Sequence, residues 1–206
     1  MEYLYRVGAI NRGGRNYILR LYPIQRGLEY LPGQFINILY SNLERSYSIA
    51  SHPSYPYLEL FITNIGGAFT SKLDELYGKE VIIKGPYGRF TYHNQKSAVF
   101  ISTGSGIAPI MSILRHIYSS ELEGDFYLFS SFRFREENLY ESELRLMSRL
   151  GLNIDIRYTG EGDSRFNIED FVEYKEMDMY LCGNREFIMN IVRELKPRRV
   201  FVETWG

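Results

Sequence analysis

The chain has 206 residues, 45% of them hydrophobic and 24% charged, and a formal net charge of −1. That length allows one large domain or two small ones, the composition excludes a disordered chain, and the near-neutral charge speaks against a general nucleic-acid or membrane-surface binder. One cysteine, Cys182, and three scattered histidines exclude an intrachain disulfide framework, a cysteine-ligated iron–sulfur cluster built by this chain alone, and metal-site spacing.

The opening stretch MEYLYRVGAINRGGRN lacks the apolar core of a signal peptide, and no run approaches the length of a membrane span, so a cytoplasmic location is expected. From Tyr3 to about Tyr92 the pattern is one of short β segments. NYILRLYPI, FINILY, RSYSIAS, YLELFITNI and EVIIKGPYGRF are rich in Ile, Tyr, Leu and Val and are separated by Gly, Pro, Asn and Ser, which predicts an antiparallel barrel or sandwich. One helix interrupts them in GGAFTSKLDELYGK, where Phe69, Leu73 and Leu76 recur at i, i+4 and i+7.

The polar, unperiodic YHNQKS (92–97) reads as a linker between a first domain over 1–93 and a second over 97–206. Beyond it, strands and helices alternate. AVFIST is followed by the helix IAPIMSILRHIYS, DFYLFSS by ESELRLMSRL, NIDIRY by a loop and the short helix NIEDFVEY, and MDMYLC by REFIMNIVREL, with RRVFVE last. Strands interleaved with helices in this way predict a doubly wound parallel sheet with right-handed crossovers.

Two glycine-bearing turns carry the first chemical signal. TGSGIAP (103–109) joins a buried strand to a helix, where a doubly wound sheet seats a pyrophosphate on the helix N-terminus. Gly104 and Gly106 permit close backbone approach, and Pro109 suits the first helical turn. No lysine follows, so this is no Walker A loop, and taken alone the turn fits either a nucleotide site or a plain tight turn. GGAFTSKL (66–73) repeats the physics inside the β half: Gly66 and Gly67 precede Thr70 and Ser71 hydroxyls, in an arrangement that equally suits a capped helix plugging a barrel.

RSYSIAS (45–51), preceded by PGQF, resembles the R-x-Y-S flavin motif of the ferredoxin–NADP reductase family of flavoproteins. GGAFTSKL, GPYGRF, TGSGIAP, CGNREF and VFVETWG resemble that family's remaining signatures, in the same order over nearly the whole chain. The resemblance implies a flavin-binding β-barrel followed by an NAD(P)-binding α/β domain. It implies FAD contacts at Arg45, Tyr47, Ser48, Ile49, Thr63, Gly67, Ala68, Phe69, Thr70 and Trp205. Nicotinamide dinucleotide contacts are implied at Thr103, Gly104, Ser105, Gly106, Ile107, Pro109, Arg133, Cys182, Gly183, Asn184 and Phe187.

Catalytic roles fall by the same resemblance to Ser48 near flavin N5, to Cys182 against the nicotinamide C4, and to Glu203 in proton handling, with Trp205 as a movable lid on the flavin. The Ser–Arg pair that grips the 2′-phosphate of NADP is not evident, which leans toward NADH, although Arg133, Arg135 and Arg165 could serve NADPH instead. The function implied is a reductase that passes a hydride from NADH or NADPH to FAD and electrons to a separate acceptor: a ferredoxin, an oxygenase or a cluster-bearing subunit. Two alternatives stay open, a reductase of diffusible flavin and a non-catalytic electron-transfer subunit of a larger complex.

Overall fold

A computed structural model describes residues 1–205, with the backbone alone at Trp205. The Trp205 side chain and Gly206 lie outside the described residues, and with them the expectation of an aromatic lid.

The first half is one antiparallel sheet of β1 (Glu2–Gly13), β2 (Asn16–Pro23), β3 (Phe35–Tyr40), β4 (Leu43–Ser48), β5 (Leu58–Thr63) and β6 (Glu80–Tyr87). Their order is β4-β3-β6-β1-β2-β5. The two outer strands meet through an Ile49–Leu60 bridge and an Ala50 N–H···O=C Glu59 bond of 2.7 Å, so the sheet closes into a barrel. Closure removes the unpaired strand edges that would otherwise invite association. Inside lie Tyr5, Leu19, Leu21, Ile36, Ile38, Leu60 and Ile83, all essentially inaccessible.

The helical interruption is shorter and tighter than its apolar spacing predicts. It is a 3₁₀ helix, Thr70–Leu76, that begins three residues after Gly67. Phe69, Leu73 and Leu76 nevertheless pack into the barrel core, so the apolar face lies where the spacing places it. The strand β1 was not legible as a segment of its own. A register shift between Val7 and Ala9, around Gly8, breaks its alternation.

The second half is a parallel sheet of β7 (Ser97–Thr103), β8 (Asp125–Phe132), β9 (Asn153–Tyr158), β10 (Asp178–Asn184) and β11 (Arg199–Trp205), ordered β11-β10-β7-β8-β9. Helices α1 (Ile107–Ser119), α2 (Glu141–Arg149) and α3 (Arg185–Leu195) provide crossovers. The strand order reverses between β7 and β10, which makes the carboxyl ends of those two strands the switch point where ligands bind in such sheets.

The halves are joined by a shared core and by buried polar bonds. Ile18, Ala50 and Phe61 of the barrel pack with Phe100, Ile110 and Leu114 of the second half. The Ser112 hydroxyl donates to the Ser51 carbonyl at 2.7 Å, and Arg115 of α1 donates to the Ala50 carbonyl (2.8 Å) and to the Glu59 carboxylate (2.7 Å). The 92–96 stretch is itself packed: the Tyr92 and Tyr180 rings meet at 6.0 Å, and Gln95 donates to the Tyr180 hydroxyl at 2.9 Å.

Two histidines meet across this seam. His52 and His116 stack at 5.6 Å and 13°, with Arg115, Tyr55, Ser54, Tyr92 and Asn94 around them. Burial lowers both pKa values, and at His52 the charges of His116 and Arg115 add to the shift. Unfolded histidines take up protons below a pH of about 6.5 that the folded pair resists, so their contribution to stability is intact above that pH and declines as pH falls through it. Melting temperature is expected to fall more steeply from pH 7.5 to 5.5 in the native protein than in a His52→Gln, His116→Gln double variant. Parallel curves would show that the pair is not responsible.

Candidate active site

The seam between barrel and sheet holds a cavity of about 310 Å³. Arg45, Ser46, Tyr47 and Ser48 line it from the end of β4, Thr63 from the end of β5, and Gly67, Phe69 and Thr70 from the 3₁₀ segment. Ser105 and Ala108, at the start of α1, face them from the other domain. Its walls are mostly apolar with a few convergent polar groups, the usual make-up of a small-molecule site.

Strand alternation sorts these side chains. On one face of β4 Ser46 donates to Asn37 at 2.7 Å and Lys84 reaches Glu44 at 3.2 Å. Arg45 and Tyr47 share the opposite face, and the Tyr47 ring packs on Phe69 at 5.7 Å. The Arg45 guanidinium is exposed at the cavity mouth and donates to the Glu44 carbonyl at 2.7 Å. Among the described residues no carboxylate lies within ion-pair distance of it. Thr70 Oγ1 accepts from the Gly67 N–H at 3.1 Å and so fixes the turn that lines the same cavity.

Ser48, Cys182 and Glu203, read from distant parts of the sequence, converge at one place. Glu203 on β11 pairs in register with Cys182 on β10. Ser48 Oγ donates to Glu203 Oε2 at 3.3 Å, across the domain seam. Burial raises the Glu203 carboxyl to about 7, with the Ser48 hydrogen bond pulling the other way. Cys182 is fully buried.

The two loops at the switch point interlock. A Cβ at Gly106 would collide with the Cys182 carbonyl, and one at Gly183 (φ +139°) would collide with Thr103 Oγ1. Glycine is therefore required at both positions. Thr103 Oγ1 accepts from the Asn184 N–H at 2.8 Å, and the Asn184 side chain caps α3 by accepting from Phe187 N–H at 3.0 Å. A short 3₁₀ turn, Gly104–Gly106, then runs directly into α1 with Pro109 in its first turn.

Other sequence-predicted residues lie elsewhere. Ile49 and Ile107 bury their side chains in the core, so any ligand contact there falls to the backbone. Phe187 packs against Phe171 within the apolar layer under α3. Ala68 lies in the turn beside the cavity without lining it. Arg133 and Arg165 line a separate cavity, while Arg135 pairs with Glu141 at 2.7 Å and stacks over Tyr158. Sequence reasoning missed Phe61, Ile62, Ile65 and Ala108 in the cavity wall, which read only as strand or helix apolar positions.

These residues fit the group that the motifs call for. A guanidinium at the mouth with no ion-pair partner among the described residues suits a phosphate, an aromatic and apolar wall suits a flat ring system, and the hydroxyl-bearing residues Ser48, Thr63, Thr70 and Ser105 line the rest of the cavity.

Residues 4–92 match the oxidoreductase FAD-binding domain, and residues 100–193 match the oxidoreductase NAD-binding domain. The propane 2-monooxygenase reductase component of Rhodococcus jostii is 32% identical over 190 residues, which cover 80% of this chain and 51% of that protein. Ferredoxin–NADP reductase B of Sorangium cellulosum is 28% identical over 189 residues, covering 79% and 77%. The flavohem-like FAD/NAD binding domain of nitric oxide dioxygenase from Vibrio cholerae superposes with a TM-score of 0.89 at 21% identity, covering 99% of this chain and 98% of that one, which shows a shared fold. The chain spans about half the length of several curated relatives that it matches.

Proposed function

Because the chain belongs to the ferredoxin–NADP reductase-like family and carries its FAD-binding and NAD-binding domains in order, we propose that it is an NAD(P)H reductase. In this reading a hydride passes from the nicotinamide dinucleotide to FAD, and electrons leave to a separate redox protein. Residues 1–93 form the FAD-binding unit and 97–206 the NAD(P)-binding unit. The observation that carries the reading is the meeting of Ser48 from the barrel with Cys182 and Glu203 from the parallel sheet, beside the Arg45 cavity.

The chemistry supplied by bound FAD is acceptance of a hydride and onward release of its electrons. The residues of this chain supply binding, orientation and proton control. Arg45 and the Gly67–Thr70 turn would hold the flavin's phosphates, and Tyr47 and Phe69 would wall its ring. The Thr103–Gly106 turn and Cys182–Asn184 would seat the dinucleotide at the switch point. Holding the two partners in register removes an entropic part of the barrier. Ser48 would offer its hydroxyl at the reacting edge, and Glu203 would exchange the accompanying proton with solvent through it. A carboxyl with a pKa near neutrality is suited to that task.

Three matched relatives are named as reductase components of propane 2-monooxygenases, which supports a separate protein acceptor such as an oxygenase component, a ferredoxin or a cluster-bearing subunit. No helix is long and apolar enough to cross a membrane among the described residues, which accords with a cytoplasmic placement.

Flavin-loaded protein is expected to reduce ferricyanide with NADH or NADPH, to lose that activity when the flavin is stripped, and to regain it on addition of FAD. Absence of turnover in the loaded protein would contradict the proposal. Glu203 makes a further expectation specific. Its native pKa of about 7 exceeds the ordinary carboxylate value, so the unfolded state releases the proton first and stability falls as pH rises from about 4.5 to 7. Glu203→Gln is expected to remove that slope, to remove the limb near pH 7 from the turnover profile, and to lower turnover by roughly tenfold. An unshifted pH profile would assign the limb to another group.

A further inference from the structure

A second cavity, of about 500 Å³, opens beyond the carboxyl ends of β7, β8 and β9 and is closed on its far side by the barrel. Arg133 and Arg165 line it from the parallel-sheet domain, and Arg15 and Asn16 enter it from the β1–β2 hairpin. That hairpin is clasped onto the second domain. A Cβ at Gly13 would collide with the Glu136 carbonyl, Asn16 Nδ2 donates to the Glu137 carbonyl at 2.9 Å, and Arg15 Nε donates to Glu137 Oε1 at 3.0 Å.

The charge of this cavity is lopsided. Glu137 is the carboxylate in its lining, 5% exposed, and both its oxygens are engaged, Oε1 by Arg15 and Oε2 by the Arg133 backbone N–H at 3.1 Å. Arg15 directs only its Nε at Glu137. Among the described residues its two terminal amino groups have no hydrogen-bond partner, and the Arg133 and Arg165 guanidinium groups form no ion pair. Three arginines thus line one space with a single buried counter-charge among them.

We propose that Arg15, although it belongs to the flavin-binding barrel, is a nucleotide-specificity residue that completes with Arg133 and Arg165 a cross-domain cage for the 2′-phosphate of NADPH. This rests on the reading that the second domain takes a nicotinamide dinucleotide. With the pyrophosphate at the Thr103–Gly106 turn, the adenosine ribose falls past the end of the next strand, β8. There a carboxylate recognises the ribose diol of NADH, whereas an arginine accommodates the extra phosphate of NADPH. Here that strand runs out into Ser131, Phe132 and Arg133, and Glu137 is already occupied. A guanidinium fork matches a phosphate dianion in geometry as well as charge. The preferred donor is therefore NADPH, against the lean toward NADH that the motif pattern alone suggests.

The test is calorimetric titration of the whole flavin-loaded protein with adenosine 2′,5′-bisphosphate and separately with 5′-AMP. Native protein is expected to bind the bisphosphate at least ~10-fold more tightly than AMP, and Arg15→Ala to lose about tenfold of that preference, as for one charge-assisted contact, with AMP affinity unchanged. Arg15→Gln keeps a donor for Glu137 without the charge and is expected to lose the same preference, so the test survives if the alanine variant fails to fold. Arg15→Lys should recover part of it. Retention of full preference in both Arg15→Ala and Arg15→Gln would overturn the proposal, as would equal native affinity for the two probes. Native protein that binds neither probe would overturn both the proposal and the dinucleotide reading beneath it.

Discussion

Arg115→Met is expected to melt roughly 6–20 °C below the native protein, the shift that a loss of ~3–5 kcal/mol gives a chain of this size. Arg115 is 5% exposed and Glu59 is 0% exposed, so neither charge has water to fall back on. The guanidinium is fully engaged: Nε and one amino group grip both oxygens of Glu143 at 2.7 and 2.6 Å, while the other amino group serves Glu59 and the Ala50 carbonyl. Methionine keeps much of the volume but leaves Glu59 held by Arg20 at 2.9 Å and the Tyr140 hydroxyl at 3.1 Å, with its full charge still buried. Pairing Arg115→Met with Glu59→Leu removes both charges and is expected to recover most of the loss, since the desolvation of a buried pair offsets much of its attraction. A thermal melt decides the matter, and a single variant as stable as the native protein would show that the network contributes nothing to joining the domains.

Arg45→Ala is expected to weaken FAD binding by ~1.5–3 kcal/mol, or about 10- to 150-fold, while leaving the fold intact. The side chain is exposed and, among the described residues, its one hydrogen bond goes to the neighbouring Glu44 carbonyl, so its removal orphans nothing buried. Effects on flavin binding and on stability therefore separate cleanly here, unlike at Arg115. Arg45→Lys retains the charge but not the two-pronged geometry and should fall between the two. Flavin fluorescence during titration of the stripped protein measures the change. Unchanged affinity in the alanine variant would remove Arg45 from the phosphate site.

What could be read from the sequence was whatever is local in the chain. The strand and helix periods, the close-packed glycines at Gly106 and Gly183, and the run from Arg45 to Ser48 all declare themselves within a few residues. The 3₁₀ segment shows the limit of that reading: the spacing of Phe69, Leu73 and Leu76 identifies the buried face, but the tighter winding and the start at Thr70 come from packing against the barrel end. The polar clasp between domains was not legible at all. Arg15 and Glu137 stand 122 residues apart and Arg115 and Glu59 stand 56 apart, and isolated charges on strands or helices read as solvated faces until the fold brings them together. The same holds for His52 beside His116. Motifs mark Cys182, Glu203 and Ser48 each separately; nothing in their spacing announces that Ser48 reaches Glu203 or that Glu203 pairs in register with Cys182.

This seam is expected to bind FAD and to deliver it a hydride from a nicotinamide dinucleotide. An absorption spectrum of the purified, extensively dialysed protein, followed by anaerobic titration with NADPH and then NADH, tests it most directly. The expected result is a retained oxidised-flavin spectrum that bleaches on addition of about one equivalent of nicotinamide dinucleotide, with NADPH the more effective donor. A colourless protein that takes up no FAD, or a bound flavin that neither nucleotide bleaches, would contradict it.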